Sequence, residues 1–130
     1  MTASQRLSEL FDRGLQNGLG SLSADELDLY RIQDFIIEYE MNGLSGYFYN
    51  RLSDTAQIQA TISAMHRYNM TELRDLLTGA FGLFRMYDAS NAQGSWSDVL
   101  KKLDPGDQLD SISHKIYAID DYGLANSSIA

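Results

Sequence analysis

The 130-residue chain carries 18 acidic against 10 basic residues, a formal net charge of -8, and no cysteine. That balance opposes approach to phosphates or anionic lipid, and the missing thiols exclude disulfides, thiolate nucleophiles and cysteine-ligated zinc. An apolar fraction of 44% is that of an ordinary globular protein, so a single domain over 1–130 with one core is expected.

Ser4 is the expected cap of a first helix to about residue 16, with Leu7, Leu10, Phe11 and Leu15 on one stripe and Asn17-Gly18 as its end. Ser23 and Glu26 then form a capping-box pair, flanked by Leu22 and Leu27 as a hydrophobic staple, and open a helix over 24–41. Leu27, Leu29, Tyr30, Ile32, Phe35, Ile36, Ile37 and Tyr39 give it more apolar surface than a one-sided helix needs, so it is expected at the centre. Asn42-Gly43 suits a left-handed end, and 44–51 form a short aromatic helix or helical turn at which the chain reverses.

Asp54 with Gln57 opens a helix through 68, with Ile58, Ile62 and Met65 along one face. Asn69 or Thr71 caps the next, to about 87, with Leu73, Leu76, Leu77, Ala80, Phe81 and Phe84 inward. Gly79 and Gly82 each cost about 1 kcal/mol relative to alanine in a helix, and close helix packing is the expected compensation. A polar loop over 88–95 precedes a short helix over 96–103. Asp104-Pro105 reads as N-cap and first residue of a last helix to about 121, carrying Leu109, Ile112, Ile116 and Ile119. The stretch 123–130, small and polar, is expected to be a flexible tail. The reading is an all-α domain of about six to seven helices, without internal repeats.

No segment approaches the roughly 20 apolar residues that span a bilayer. The first residues, Met-Thr-Ala-Ser-Gln-Arg, lack the basic and apolar segments of a secretory signal, which makes a cytoplasmic location the default expectation. There is no phosphate loop, HExxH, EF-hand loop or GxSxG, and His66 and His114 lack partners at metal-ligand spacing. No metal site, cofactor or catalytic residue is therefore assigned. Asp104-Pro105-Gly106-Asp107 lacks the alternating ligands of a calcium loop and is explained by capping. Glu38 and Glu40 resemble an acid and base pair only superficially, because helical residues two apart point in different directions.

The stretch Glu38 to Asn50, Glu-Tyr-Glu-Met-Asn-Gly-Leu-Ser-Gly-Tyr-Phe-Tyr-Asn, joins a helix stop to three consecutive aromatics with an asparagine behind them. Tyr47, Phe48 and Tyr49 span about 200° of helical arc, so they cannot all face one core. Phe48 is expected inside, at least one neighbour at the boundary, and Asn50 bonded to backbone at the helix end.

The carboxylates fall into groups. Asp25, Glu26 and Asp28 sit at a helix start, where the dipole favours them, and Asp34, Glu38 and Glu40 continue along the same helix. The last third adds Asp98, Asp104, Asp107, Asp110, Asp120 and Asp121 against Lys101, Lys102 and Lys115. Composition by itself favours a solvated acidic surface that maintains solubility; carboxylates aligned at phosphate-like spacing instead imitate the potential of DNA toward a basic protein.

Glu38, Asn42-Gly43-Leu44, Ser45-Gly46, Tyr47-Phe48 and Tyr49-Asn50 together resemble the bacterial DNA-mimic-protein family and its helical relatives of unknown function. The family pattern has paired glycines where this chain has Met41-Asn42-Gly43. The order of helices downstream is also similar, extending the resemblance over about 23–121. It implies a compact helical domain without enzyme activity or cofactor and, for at least one characterised member, an acidic dimer that occupies the DNA-binding surface of a transcription factor.

The structural motif expected from these readings is Asn42, Gly43, Leu44, Gly46, Tyr47, Phe48 and Asn50. The expected partner contacts are Asp25, Glu26, Asp28, Asp34, Glu38, Glu40, Asp107 and Asp110, facing a basic protein such as a DNA-binding regulator, with no direct nucleic-acid or membrane binding and with a homodimer as the state the resemblance suggests. An immunity or antitoxin-type protein that plugs a basic nuclease is the alternative. An enzyme with a cleft near Glu38, Tyr47 and Asn50 is a third reading.

Overall fold

The first helix, α1 (Ala3–Asn17), opens at Thr2: its hydroxyl accepts from the Gln5 N–H at 3.1 Å, and the Gln5 side chain accepts from the Thr2 N–H at 2.8 Å. The cap thus lies two residues before the expected Ser4, because this reciprocal box satisfies two backbone groups at once. Leu7 and Leu10 are buried, while Leu15 is exposed, so the apolar stripe stops a turn early. These coordinates come from a computed structural model that describes residues 1–88 and 94–130.

After a 3-10 turn (Leu19–Ser21), the Ser23–Glu26 capping box forms as expected and starts α2 (Ala24–Arg51). Leu29, Ile32, Phe35 and Ile36 are buried along its first arm, and Leu44, Tyr47 and Phe48 along its second. It packs against α1, against α3 (Thr55–Arg67) and against α6 (Gln108–Tyr117), which makes it the central helix. The two arms meet at Gly43, whose φ of 71° and ψ of 178° are non-helical. This break is where Asn42-Gly43 was expected to end a helix.

α3 is capped by the Asp54 carboxylate, which accepts from the Gln57 N–H at 3.2 Å, and it buries Ile58, Ala64 and Met65. α4 (Thr71–Gly82) has no side-chain cap. Asn69 instead adopts φ 62° in the turn, and buried Met70 occupies the cap position. The helix ends at Gly82 rather than near 87, and the turn beyond it still delivers Phe84 to the core. Gly79 and Gly82 are exposed, and an added Cβ at either would meet nothing within 4 Å. The close packing expected at these glycines is absent, and Gly82 is the last residue of α4.

The expected polar loop over 88–95 falls largely on residues 89–93, outside the described residues. α5 (Trp96–Leu103) begins with a Ser95–Asp98 capping box. Asp104 then ends α5 through its N–H, bonded to the Leu100 carbonyl at 2.8 Å, while its carboxylate caps α6 by accepting from the N–H groups of Gln108 at 2.7 Å and Leu109 at 2.8 Å. Pro105 therefore lies in the turn between the helices rather than at the first position of α6. α6 stops at Tyr117, and a 3-10 segment (Asp120–Asn126) follows in which Asp121, Tyr122 and Gly123 all have positive φ.

The segment 123–130, expected as a flexible tail, lies against the body of the structure. Leu124 and Ile129 are buried, the Ser128 N–H donates to the Tyr68 carbonyl at 2.9 Å, and Arg6 donates to the Ile129 carbonyl. Two apolar residues in a small, polar stretch suffice as anchors. Among the described residues the fold is all-α, six helices with the second broken in two plus short 3-10 segments, and forms one domain. No described helix is long and apolar enough to cross a membrane.

Candidate functional site

The Glu38 to Asn50 stretch folds into a brace across the Gly43 break. One Glu38 carboxylate oxygen accepts from the Asn42 amide at 3.1 Å and from the Asn50 amide at 3.0 Å, and the other lies 3.4 Å from Arg51. Arg51 also grips Asp34 with two bonds, at 2.7 and 3.0 Å, so that both arms of α2 are tied through the same three carboxylate contacts. Glu38, before the break, is thereby bonded to Asn42 beside it and to Asn50 and Arg51 after it. Burial pushes its carboxyl up, but the bonds from Asn50 and Asn42 and the Arg51 charge outweigh that and hold it below the ordinary value. Gly46 completes the turn, because a Cβ there would overlap the Cβ of Asn42. Asn50 thus bonds a side chain, not the backbone expected for it.

Inside the brace, Tyr47 and Phe48 are fully buried and Leu44 nearly so, whereas Tyr49 is 65% exposed. Tyr47 meets Phe35 edge-on with ring centroids 4.8 Å apart, and Phe48 packs on Phe84 at 4.7 Å. Burial pushes the Tyr47 hydroxyl up to about 12. Trp96 of α5 is anchored here as well, donating its indole N–H to the Ser45 hydroxyl at 2.9 Å while Tyr49 packs beside it. The motif residues Asn42, Gly43, Leu44, Gly46, Tyr47, Phe48 and Asn50 all act on the bend or its packing.

The acidic residues near the start of α2 are likewise engaged internally. Glu26 bonds Arg13 of α1, Asp25 lies 2.5 Å from Arg67 of α3, and Asp28 lies 3.1 Å from Arg67 and 3.6 Å from Arg31. Asp25, Glu26, Asp28, Asp34 and Glu38 therefore face the four guanidiniums of Arg13, Arg31, Arg51 and Arg67. Five carboxylates against four guanidiniums leave one net negative charge there and seven of the chain's eight elsewhere.

Glu40, Asp107 and Asp110 differ. All three are exposed, and none is in ion-pair contact with an arginine or lysine among the described residues. Glu40 accepts from the Tyr122 hydroxyl at 2.8 Å, and burial together with that carboxylate pushes the hydroxyl's pKa up. Asp110 has His114 of its own helix 3.5 Å away. Tyr39, beside Glu40, donates to the Ser113 carbonyl at 2.8 Å and thereby ties the end of the first arm of α2 to α6. Asp107 and Asp110 line a half-open cleft of about 680 Å³ together with Gly43, Ser45 and Lys101. Asp120 and Asp121, which precede Tyr122, are also exposed. The bend of α2 meets α6 through Tyr39 and Ser113 and the 3-10 segment through Glu40 and Tyr122.

Glu38, Tyr47 and Asn50 do not line that cleft. Glu38 and Asn50 are bonded to each other and Tyr47 is closed in the core, so the three form no common reaction chamber. No group of three or more histidine and acidic residues that would hold a metal ion occurs among the described residues. Sequence reasoning missed the counterions, above all Arg51, although it directly follows Asn50; it missed Tyr122 because nothing in the local pattern signals a contact 82 residues away.

The family described as DMP19-like protein matches residues 20–127, which include the whole brace, α6 and the Tyr122 contact. No curated protein and no solved structure matches the chain. The match covers most of the sequence and agrees with the DNA-mimic resemblance carried by Glu38 to Asn50: the chain belongs to the DMP19-like protein family.

Proposed function

We propose that this protein is a noncatalytic DNA mimic whose acidic surface occupies the DNA-binding face of a basic regulator. The observation that carries the reading is the division of its carboxylates. Five of the eight residues expected to contact a partner are held by arginines, while Glu40, Asp107 and Asp110 keep their charge toward solvent. A basic protein that reads phosphates responds to such uncompensated charge, since a carboxylate already bonded to a guanidinium attracts a second cation less. Glu40, Asp107 and Asp110 are accordingly assigned as the principal contacts, with Asp120 and Asp121 extending them. Asp25, Glu26, Asp28, Asp34 and Glu38 are assigned to the support of α2 and contribute to the partner only through the long-range field.

The test is capture of basic proteins from the source cell at low and high salt, with duplex DNA as competitor. The variant Glu40→Gln, Asp107→Asn, Asp110→Asn is run in parallel. The reading predicts a DNA-binding partner that is released by salt, displaced by duplex DNA and lost with the triple variant. A partner indifferent to all three contradicts it, and a nuclease or toxin as the sole partner favours the immunity reading instead.

A further inference from the structure

Asn-Gly occurs twice in the chain, at Asn17-Gly18 and at Asn42-Gly43, and the fold treats the two pairs differently. In such a pair the glycine amide nitrogen is little hindered and can attack the asparagine side-chain carbonyl carbon. The new N–C bond closes a succinimide as the C–NH2 bond breaks; the amide proton is lost and ammonia leaves. Water then opens the ring to an aspartyl or isoaspartyl residue. No oxidant or reductant is needed. What is needed is a free side-chain amide and a glycine nitrogen that is not held away from it.

Asn17 is the last residue of α1, and Gly18 has left the helix with φ 83° and ψ 155°. Both are exposed. The Asn17 side chain makes no hydrogen bond and the Gly18 N–H donates to no carbonyl among the described residues, although the Gly18 carbonyl accepts from Ser21. At Asn42 the same chemistry meets a locked group. Its amide donates to Glu38 at 3.1 Å, one turn back along the helix, and its Cβ fills the space that Gly46 leaves free. Ring closure there requires the Glu38 contact to break.

We infer that Asn17-Gly18 is a site of spontaneous covalent modification, converting Asn17 to an aspartyl or isoaspartyl residue, and that the Glu38 brace protects Asn42-Gly43 from the same reaction. Conversion of Asn17 places a negative charge at the end of α1, where the helix dipole disfavours it, and the isoaspartyl form adds a methylene to the backbone before the Leu19–Ser21 turn. The same change at Asn42 sets a second carboxylate against Glu38 and removes one of its donors, so the brace guards its own integrity.

The test incubates the full chain in mildly alkaline buffer and follows both peptides by mass spectrometry, native and in urea. The Asn17 peptide gains about 1 Da, and its Asn17→Gln counterpart does not. In the native protein Asn42 lags by at least about tenfold, because local opening must come first, and the lag disappears in urea. Equal native rates at the two sites, or faster change at Asn42, overturn the inference. So does an Asn17 that stays intact when native but reacts in urea.

Discussion

The carboxylates of α2 and those around α6 look alike in a list of acidic residues, yet their surroundings give them different work. On α2, Asp34 and Glu38 share Arg51, and Asp25 and Asp28 share Arg67, so negative charge joins the two arms of α2 to each other and α2 to α3. Around α6, among the described residues, Asp107 and Asp110 meet no arginine or lysine and Glu40 accepts from a tyrosine hydroxyl. An acidic count thus overstates the surface available to a basic partner. The position of the arginines decides which carboxylates face outward electrostatically.

The comparison breaks most severely where α2 is anchored. Phe48→Ala removes a fully buried ring packed on Phe84 and is expected to cost about 3–5 kcal/mol in denaturant unfolding. Arg51→Met retains bulk but strips Asp34 and Glu38 of their cation, and a loss of about 2 kcal/mol is expected in the same assay. Asp104→Ala tests the one carboxylate of the α6 region assigned a structural role: with the Gln108 and Leu109 N–H groups left without their acceptor, about 1–2 kcal/mol should be lost.

Acid sharpens the contrast further. Because Glu38 is held below its ordinary value of 4.5, its contribution is fully present above that pH and is lost as pH falls below it toward the folded-state value. A Glu38→Gln variant should lack this part of the acid destabilisation when unfolding is followed by circular dichroism against pH. The smallest effect on stability belongs to Glu40→Gln, Asp107→Asn, Asp110→Asn together, at most about 1 kcal/mol, since all three side chains are exposed and only Asp107 and Asp110 lie at a helix start. The same triple variant should have the largest effect on binding.

Much of the fold was legible because local chemistry announces it. The Ser23–Glu26 box, the apolar excess of α2 and the Asn42-Gly43 break each have causes within a few residues. The exposure of Tyr49 beside buried Tyr47 and Phe48 follows from helical arc alone. The Thr2 cap, the early end of α4 and the docking of Ile129 were less legible, since competing caps and tertiary anchoring decided them. At the site, the residues of the brace could be named from their resemblance to a family pattern, but the reason for them could not. Glu38 and Asn50 meet only because the chain bends between them, and Glu40 meets Tyr122 only in the finished fold.

The central claim, that uncompensated carboxylates imitate DNA while arginine-paired ones support the fold, is tested most directly by competition on a captured DNA-binding partner. Labelled duplex DNA bound to that partner is titrated with the wild-type protein or with the Glu40→Gln, Asp107→Asn, Asp110→Asn variant, and fluorescence anisotropy reports release. The account predicts that wild-type protein displaces the DNA at low salt and that the folded variant does not. Equal displacement by both contradicts it.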